Sequence, residues 1–259
     1  MSIPSNIMHF RRERAQELRR YADILEKYIG NGISSKLYQG VTQLKDSSFI
    51  PYCRDIEGNS DNRDVNIWGY LINDIELNVL TLEHIRPKGL SVAKAYLNIT
   101  LVSDYRKWNC MCDPFCELSI NVTIKGIIQG SEEGVHYFGF HLDRHHESQK
   151  SDEIHPVYHL HYIQNPKDIP DFNYGSTLNI DSPRFTHYPM DIILGLTFLI
   201  ANFQPNNYQR LINDREFKVL LKEYQATILK PYSHTLSANW IKDSSNINWN
   251  PFLLCPYLV

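Results

Sequence analysis

Histidine is the residue type best suited to chemistry in this chain, and its distribution is uneven. Seven of the eleven histidines lie between residues 118 and 165. Neutral imidazole is a common ligand for zinc and similar divalent metals. Three such ligands around an open coordination position make a centre that can activate water. The segment 118–165 therefore holds the candidate site of this sequence.

Apolar and polar residues alternate along three runs of this segment. Large or apolar residues occupy even positions in the runs 118–128, 135–145 and 155–163, whereas most histidines of the last two runs are odd-numbered. Strict alternation is typical of a half-buried strand, because successive side chains point to opposite faces. The polar connections 130–134 and 146–153 indicate antiparallel hairpins.

If the even residues of neighbouring strands share a buried face, their odd histidines must share the other face. Centring the second hairpin on its polar loop places His141 opposite His159 and His145 opposite His155, with His161 one step along. Opposed side chains on one face are close enough to share a ligand. We therefore predict a metal site with His141, His159 and His161 as ligands, and with His145 and His155 in reserve.

The predicted cofactor is zinc or another divalent metal, and two nearby carboxylates could assist it. Asp143 is the predicted catalytic residue, as general base or as the partner that orients a ligand, with Glu147 as its alternative. His159 and His161 are separated by a full pleat repeat, so one metal joins them only if the strand is twisted or bulged. The competing interpretation is that the histidines decorate an exposed or interface face without any metal.

The cysteines give a weaker metal signal. Cys110, Cys112 and Cys116 are closely spaced, and Asp113 and Pro114 between them indicate a tight turn. A structural zinc site usually takes four ligands, commonly from CxxC pairs. Free thiols are therefore the preferred interpretation.

The elements that must position the histidines indicate an α+β fold. A fourth strand is predicted at 95–102, which gives an antiparallel meander of about four strands covered on one face by N-terminal and C-terminal helices. Helices are predicted over 8–29, over 192–203, and over 208–229 as one helix or two short ones. The predicted core residues are Ile120, Val122, Phe138, Phe140, Leu160, Ile193, Leu196 and Leu199.

Two stretches before this sheet resist assignment. The segment 34–64 is polar and poorly periodic, and the apolar runs 65–72 and 75–85 fit a strand or a helix equally well.

The charged residues on the predicted helices are explained without catalysis. Asp191 is expected to interact with a helix dipole rather than to act in catalysis. The arginines of the first helix are expected on a solvated, salt-bridged face. They are Arg11, Arg12, Arg14, Arg19 and Arg20.

Composition describes an ordinary globular chain. Its 259 residues carry a formal charge of -3 and are 42% hydrophobic, which predicts one α+β domain over 1–259. The aromatic tail at 231–259 is expected to dock on this domain or on a partner.

The N-terminus lacks the apolar core of a signal peptide, and no apolar run reaches the roughly 20 residues that span a bilayer. The predicted location is the cytoplasm, without membrane contact. Nucleic-acid binding is disfavoured because no basic patch is interleaved with aromatic residues.

Two functions remain open at this level. The absence of a complete catalytic motif predicts a soluble intracellular protein-interaction or accessory module, whose partner is another protein or a second copy of the chain. The histidine face predicts the alternative, a metal-dependent hydrolase. Metal content distinguishes the two.

Overall fold

The computed structural model describes residues 5–30, 32–51, 66–80, 90–128, 135–145, 155–163, 184–240 and 249–258. Within these ranges an antiparallel meander of six strands follows the order of the chain, with each strand paired to the next. This confirms the α+β class and adds two strands to the predicted four. The strands are β1 Ile67–Asn78, β2 Val92–Asp104, β3 Phe115–Ile127, β4 Val135–Arg144, β5 Tyr158–Ile163 and β6 Phe185–Thr186.

Helices precede and follow the sheet. Those before it are α1 Ser5–Tyr28 and α2 Ile33–Lys45; those after it are α3 Ile192–Phe203, α4 Pro205–Leu211, α5 Arg215–Tyr224, α6 Lys230–Ala238 and α7 Pro251–Leu254, with a π-helical turn Gln225–Leu229 between α5 and α6. Helix α2 was not predicted. Asp214 accepts hydrogen bonds from the backbone N–H groups of Glu216 and Phe217, so α5 starts anew there. None of the helices in the described ranges is long and apolar enough to cross a membrane.

The core lies between one face of the sheet and the helices. Leu97 of β2 pairs with Val122 of β3, which in turn pairs with Phe140 of β4, and all three side chains are buried. Helix α3 is apolar nearly all round and packs on this face, where Gly195 comes so close to Ile120 that an added Cβ would lie 3.2 Å from its Cδ1. The opposite face of the sheet therefore carries the odd-numbered histidines.

Most of the predicted core is confirmed. Ile120, Val122, Phe140, Ile193, Leu196 and Leu199 are buried, and Leu160 packs partly buried against them. Phe138 was predicted wrongly, since it is 49% exposed. Its ring lies 5.4 Å from that of Tyr162, which lies 6.5 Å from that of Phe185, so the three form an exposed aromatic row. Alternation assigns Phe138 to the helix-facing side, but the helices leave this corner of the sheet uncovered.

Arg11 also departs from the prediction. Its side chain is fully buried and donates hydrogen bonds to the backbone carbonyls of Leu44, Gln43 and Asp46, where α2 ends. The last carbonyls of a helix have no partner inside the helix, so Arg11 supplies one from α1. The prediction holds for Arg12, which is exposed, and for Arg19, which lies 4.0 Å from Asp23.

Part of the C-terminal tail contacts the sheet. The backbone N–H of Val157 donates to the carbonyl of Leu253 at 2.7 Å, and the ring of Trp249 lies 5.9 Å from that of Tyr158. Trp249 and Leu254 are buried. The tail therefore packs against the start of β5, the strand that carries two of the candidate ligands.

Replacing Phe140 by alanine is expected to lower the free energy of unfolding by about 3–5 kcal/mol, because it opens a cavity between β4 and the helices. Phe138→Ala is the matched control, two residues away on the same face but half exposed. It is expected to cost less than about 1 kcal/mol. Chemical denaturation measures both, and equal losses would mean that the helices do not cover Phe140.

Candidate metal centre

The pairing of β4 with β5 sets which histidines meet. His141 pairs with His161 and Asp143 pairs with His159. The predicted parity is confirmed, but the predicted pairing of His141 with His159 was wrong by two residues. Because side chains alternate with a period of two, this shift leaves every histidine on the predicted face.

His141, His159 and His161 come together on the sheet face opposite the helices. One ring nitrogen of each lies within 4.8 Å of those of the other two. The rings of His141 and His161 have centroids 3.4 Å apart, and those of His159 and His161 are 5.4 Å apart. Two nitrogens on one tetrahedral zinc lie about 3.4 Å apart, given bonds of about 2.1 Å. Small side-chain rotations would therefore bring the three nitrogens to the spacing of zinc ligands. The strand does not need a bulge for this, since β4 pairs with β5 in a continuous register.

Hydrogen bonds determine which nitrogen each ring can offer. Nδ1 of His159 lies 3.2 Å from the carbonyl oxygen of Pro156, so it donates there and leaves the Nε2 lone pair for a metal. Nε2 of His141 lies 3.1 Å from Oδ2 of Asp143, which leaves Nδ1. A ligand histidine commonly donates its second N–H to a carbonyl or a carboxylate in this way.

His161 has an unsatisfied nitrogen. Its Nε2 is buried and has no hydrogen-bond partner in the part of the chain that the structure describes. A buried polar atom without a partner costs free energy, so such atoms are uncommon in native proteins. A metal ion bound between the three rings would provide that partner.

Burial keeps the three imidazoles neutral. It is the largest cause that lowers the pKa of His141, His159 and His161, in each case to about 4. An ordinary histidine, with a pKa near 6.5, is partly protonated in mildly acidic solution. The three rings are thus in the metal-binding form well below neutral pH.

A cavity of about 270 Å³ opens over the three histidines. Asp143 lines it, as do the reserve candidates His145 and His155, whose rings stack 4.5 Å apart. Glu147, the alternative base, lies outside the described residues. The reserve pair therefore shares the cavity but is not part of the three-ligand group.

Sequence reasoning missed three charged residues of this cavity, Glu117, Arg144 and Arg184. The even number of Arg144 assigned it to the opposite face. Glu117 falls one residue before the predicted strand 118–128, although its odd number already placed it on the histidine face. Arg184 follows β5 by more than twenty residues, after a segment rich in proline, aspartate and asparagine. No pattern in the sequence links it to the histidines.

The cysteines and Asp191 do not belong to the candidate metal centre. Of the described residues, the only group of three or more potential ligands is the histidine triad, so Cys110, Cys112 and Cys116 do not form a second centre. None of these thiols is in a disulfide. Asp191 accepts a hydrogen bond from the backbone N–H of Leu194 at 2.9 Å and caps α3, as predicted. Burial raises the pKa of this carboxyl to about 7.

No protein-family model, curated protein or solved structure matches this chain. Chemistry must therefore be inferred from the site itself rather than from fold analogy. Three neutral imidazoles that converge beside a carboxylate in a cavity can hold a divalent metal and keep one coordination position for water or substrate.

Proposed function

We propose that the chain binds a divalent metal ion, zinc in first place, through His141, His159 and His161, and that it uses the metal for hydrolysis. The observation that carries the proposal is the convergence of three ring nitrogens within 4.8 Å from two adjacent strands. Structural zinc sites are usually closed by four protein ligands, whereas catalytic zinc has three and an open position. Three histidines in a cavity match the catalytic pattern.

Asp143 has two roles in this proposal. Its Oδ2 lies 3.1 Å from Nε2 of His141, so it orients that ring and favours the tautomer with a lone pair on Nδ1. The same carboxylate lines the cavity, where it can accept a proton from a water molecule. A bound zinc ion would supply the polarisation that makes such a water acidic near neutral pH.

Zinc titration tests the binding step. Protein stripped with a chelator is expected to take up one equivalent of zinc at neutral pH, detected by competition with a chromogenic chelator. Affinity should change little from about pH 8 to about pH 5 and fall towards pH 4, because protons then compete for rings with pKa values of about 4. Folded wild-type protein that takes up no zinc at neutral pH would contradict the proposal.

The Asp143→Asn variant tests the hydrolytic step on the zinc-loaded protein. It retains a hydrogen-bonding group beside His141 but cannot accept a proton, so zinc should remain bound while hydrolysis of chromogenic carboxylate and phosphate esters falls about 100-fold or more. Undiminished hydrolysis by this variant would remove Asp143 from the mechanism. Hydrolysis that persists after the metal has been fully removed would show that zinc is not required for the reaction.

The second candidate function is a protein-interaction or accessory module. The aromatic row Phe138, Tyr162 and Phe185 favours it, because these rings are 49%, 45% and 51% exposed and adjacent to one another. Contiguous exposed apolar surface commonly marks an interaction site. The partner would be another protein or a second copy of the chain. Failure of zinc uptake together with concentration-dependent self-association would favour this function over hydrolysis.

A further inference from the structure

Arg184 reaches the candidate centre through the register of the last two strands. His159 of β5 pairs with Thr186 of β6, and Leu160 pairs with Phe185. One step further brings Arg184 level with His161, and alternation puts it on the histidine face. Arg184 accordingly lines the same cavity as the three histidines.

The side chain of Arg184 shares the cavity with the proposed ligands His141 and His161. A guanidinium has five N–H donors in a planar fork, so it can keep a contact with the protein and still bind a ligand.

A second arginine of the cavity, Arg144, pairs with a carboxylate that does not line the cavity. Nε of Arg144 donates to Oδ2 of Asp113 at 3.0 Å, and only about 13% of each side chain is exposed. With Arg144 paired to Asp113, the remaining charged lining residues are Arg184, Glu117 and Asp143, whose formal charges sum to -1. A bound dication would therefore give the cavity a net positive charge.

We propose that the substrate of this centre carries an oxyanion group, a carboxylate or a phosphate, which Arg184 binds beside the metal. The inference rests on the proposed metal centre. Planar N–H forks pair with both anions through two parallel hydrogen bonds. The cavity of about 270 Å³ lies at the small end of ligand sites, which suits a compact group rather than a large apolar molecule. Arg184 would also stabilise negative charge that develops on the substrate during hydrolysis.

Anion binding to the cobalt-substituted protein tests this inference, since the visible spectrum of cobalt reports ligands near the metal. The probes are inorganic phosphate and acetate, titrated at constant ionic strength and near-neutral pH. Arg184→Gln is expected to weaken binding of the preferred anion about tenfold or more, whereas Arg184→Lys should lose less. The matched control is Arg215→Gln, which removes the same charge from an exposed position on α5. It should bind like wild type.

The outcomes separate the two proposals. Stronger binding of phosphate assigns a phosphate ester as the substrate class, and stronger binding of acetate assigns a carboxylate. If cobalt binds but neither anion changes its spectrum, or if Arg184→Gln binds both anions like wild type, the inference is overturned while the metal centre stands. If wild-type protein takes up neither cobalt nor zinc, both fail. Circular dichroism of each variant shows that a loss of binding is not a loss of folding.

Discussion

Replacing His159 by alanine is expected to lower zinc affinity about 100-fold or more. His159 is 5% exposed, and its Nδ1 is occupied by the carbonyl of Pro156, so Nε2 is the nitrogen left for a metal. Loss of a group that merely orients a ligand costs about 10-fold to 100-fold, and loss of the ligand itself should exceed that. Competition with a chromogenic chelator at neutral pH measures the change.

Two histidine variants serve as controls for this result. His9→Ala removes an exposed imidazole on α1 and should leave zinc binding unchanged. His145→Ala removes a ring that shares the cavity but not the three-ligand group, and it should change affinity less than about threefold. Should His159→Ala unfold, His159→Gln keeps a polar side chain of similar length. Zinc affinity that is equal in wild type and in a folded His159 variant would contradict the assignment of His159 as a ligand.

Replacing Arg11 by methionine is expected to lower the free energy of unfolding by about 3–5 kcal/mol. Methionine fills much of the space of the side chain but leaves three carbonyls at the end of α2 without their donors. Each hydrogen bond to a charged group contributes about 1.5–3 kcal/mol. The free-energy cost of burying the guanidinium offsets part of the sum over the three hydrogen bonds. Denaturation in guanidinium chloride measures the loss.

Arg12→Met is the matched control, because the two arginines are neighbours on α1 and differ in burial. Arg12 is exposed, so its replacement should change stability by less than about 0.5 kcal/mol. A similar, small effect at both positions would show that the carbonyls of Leu44, Gln43 and Asp46 find other donors. A large effect at Arg11 alone would show that it ties α1 to the end of α2.

The face on which the histidines lie could be read from the sequence. Alternation in β4 and β5 is a local property, since each side chain points opposite to its neighbour whatever the strand pairs with. That parity places His141, His159 and His161 on one face, together with His145 and His155. The nearly all-apolar α3, with Asp191 at its start, was predictable for a similar reason, because apolar periodicity and helix capping are both read from residues close in sequence.

Contacts between distant residues were not predictable in this way. The pairing of His141 with His161 rather than His159 depends on how the connection between β4 and β5 closes, and a shift by two residues leaves the alternation unchanged. Helix α2 was missed for a different reason. Its buried residues Ile33, Leu37, Val41 and Leu44 recur at helical spacing, but the polar residues that follow obscure this pattern when 34–64 is read as one segment.

Burial at the edges of the fold was decided by tertiary structure. Phe138 and Phe140 have the same parity on the same strand, yet only Phe140 is buried. Arg11 lies seven residues before Leu18, at the spacing of the buried face of α1, but its charge indicated a surface position. Its donors are satisfied by carbonyls more than thirty residues away. Arg184 reaches the histidines only because a strand of two residues, β6, pairs with β5. Periodicity predicts the face of a strand or helix on which a side chain lies. The neighbours of that side chain and its exposed fraction depend on where distant segments pack, and the local sequence pattern does not encode this packing.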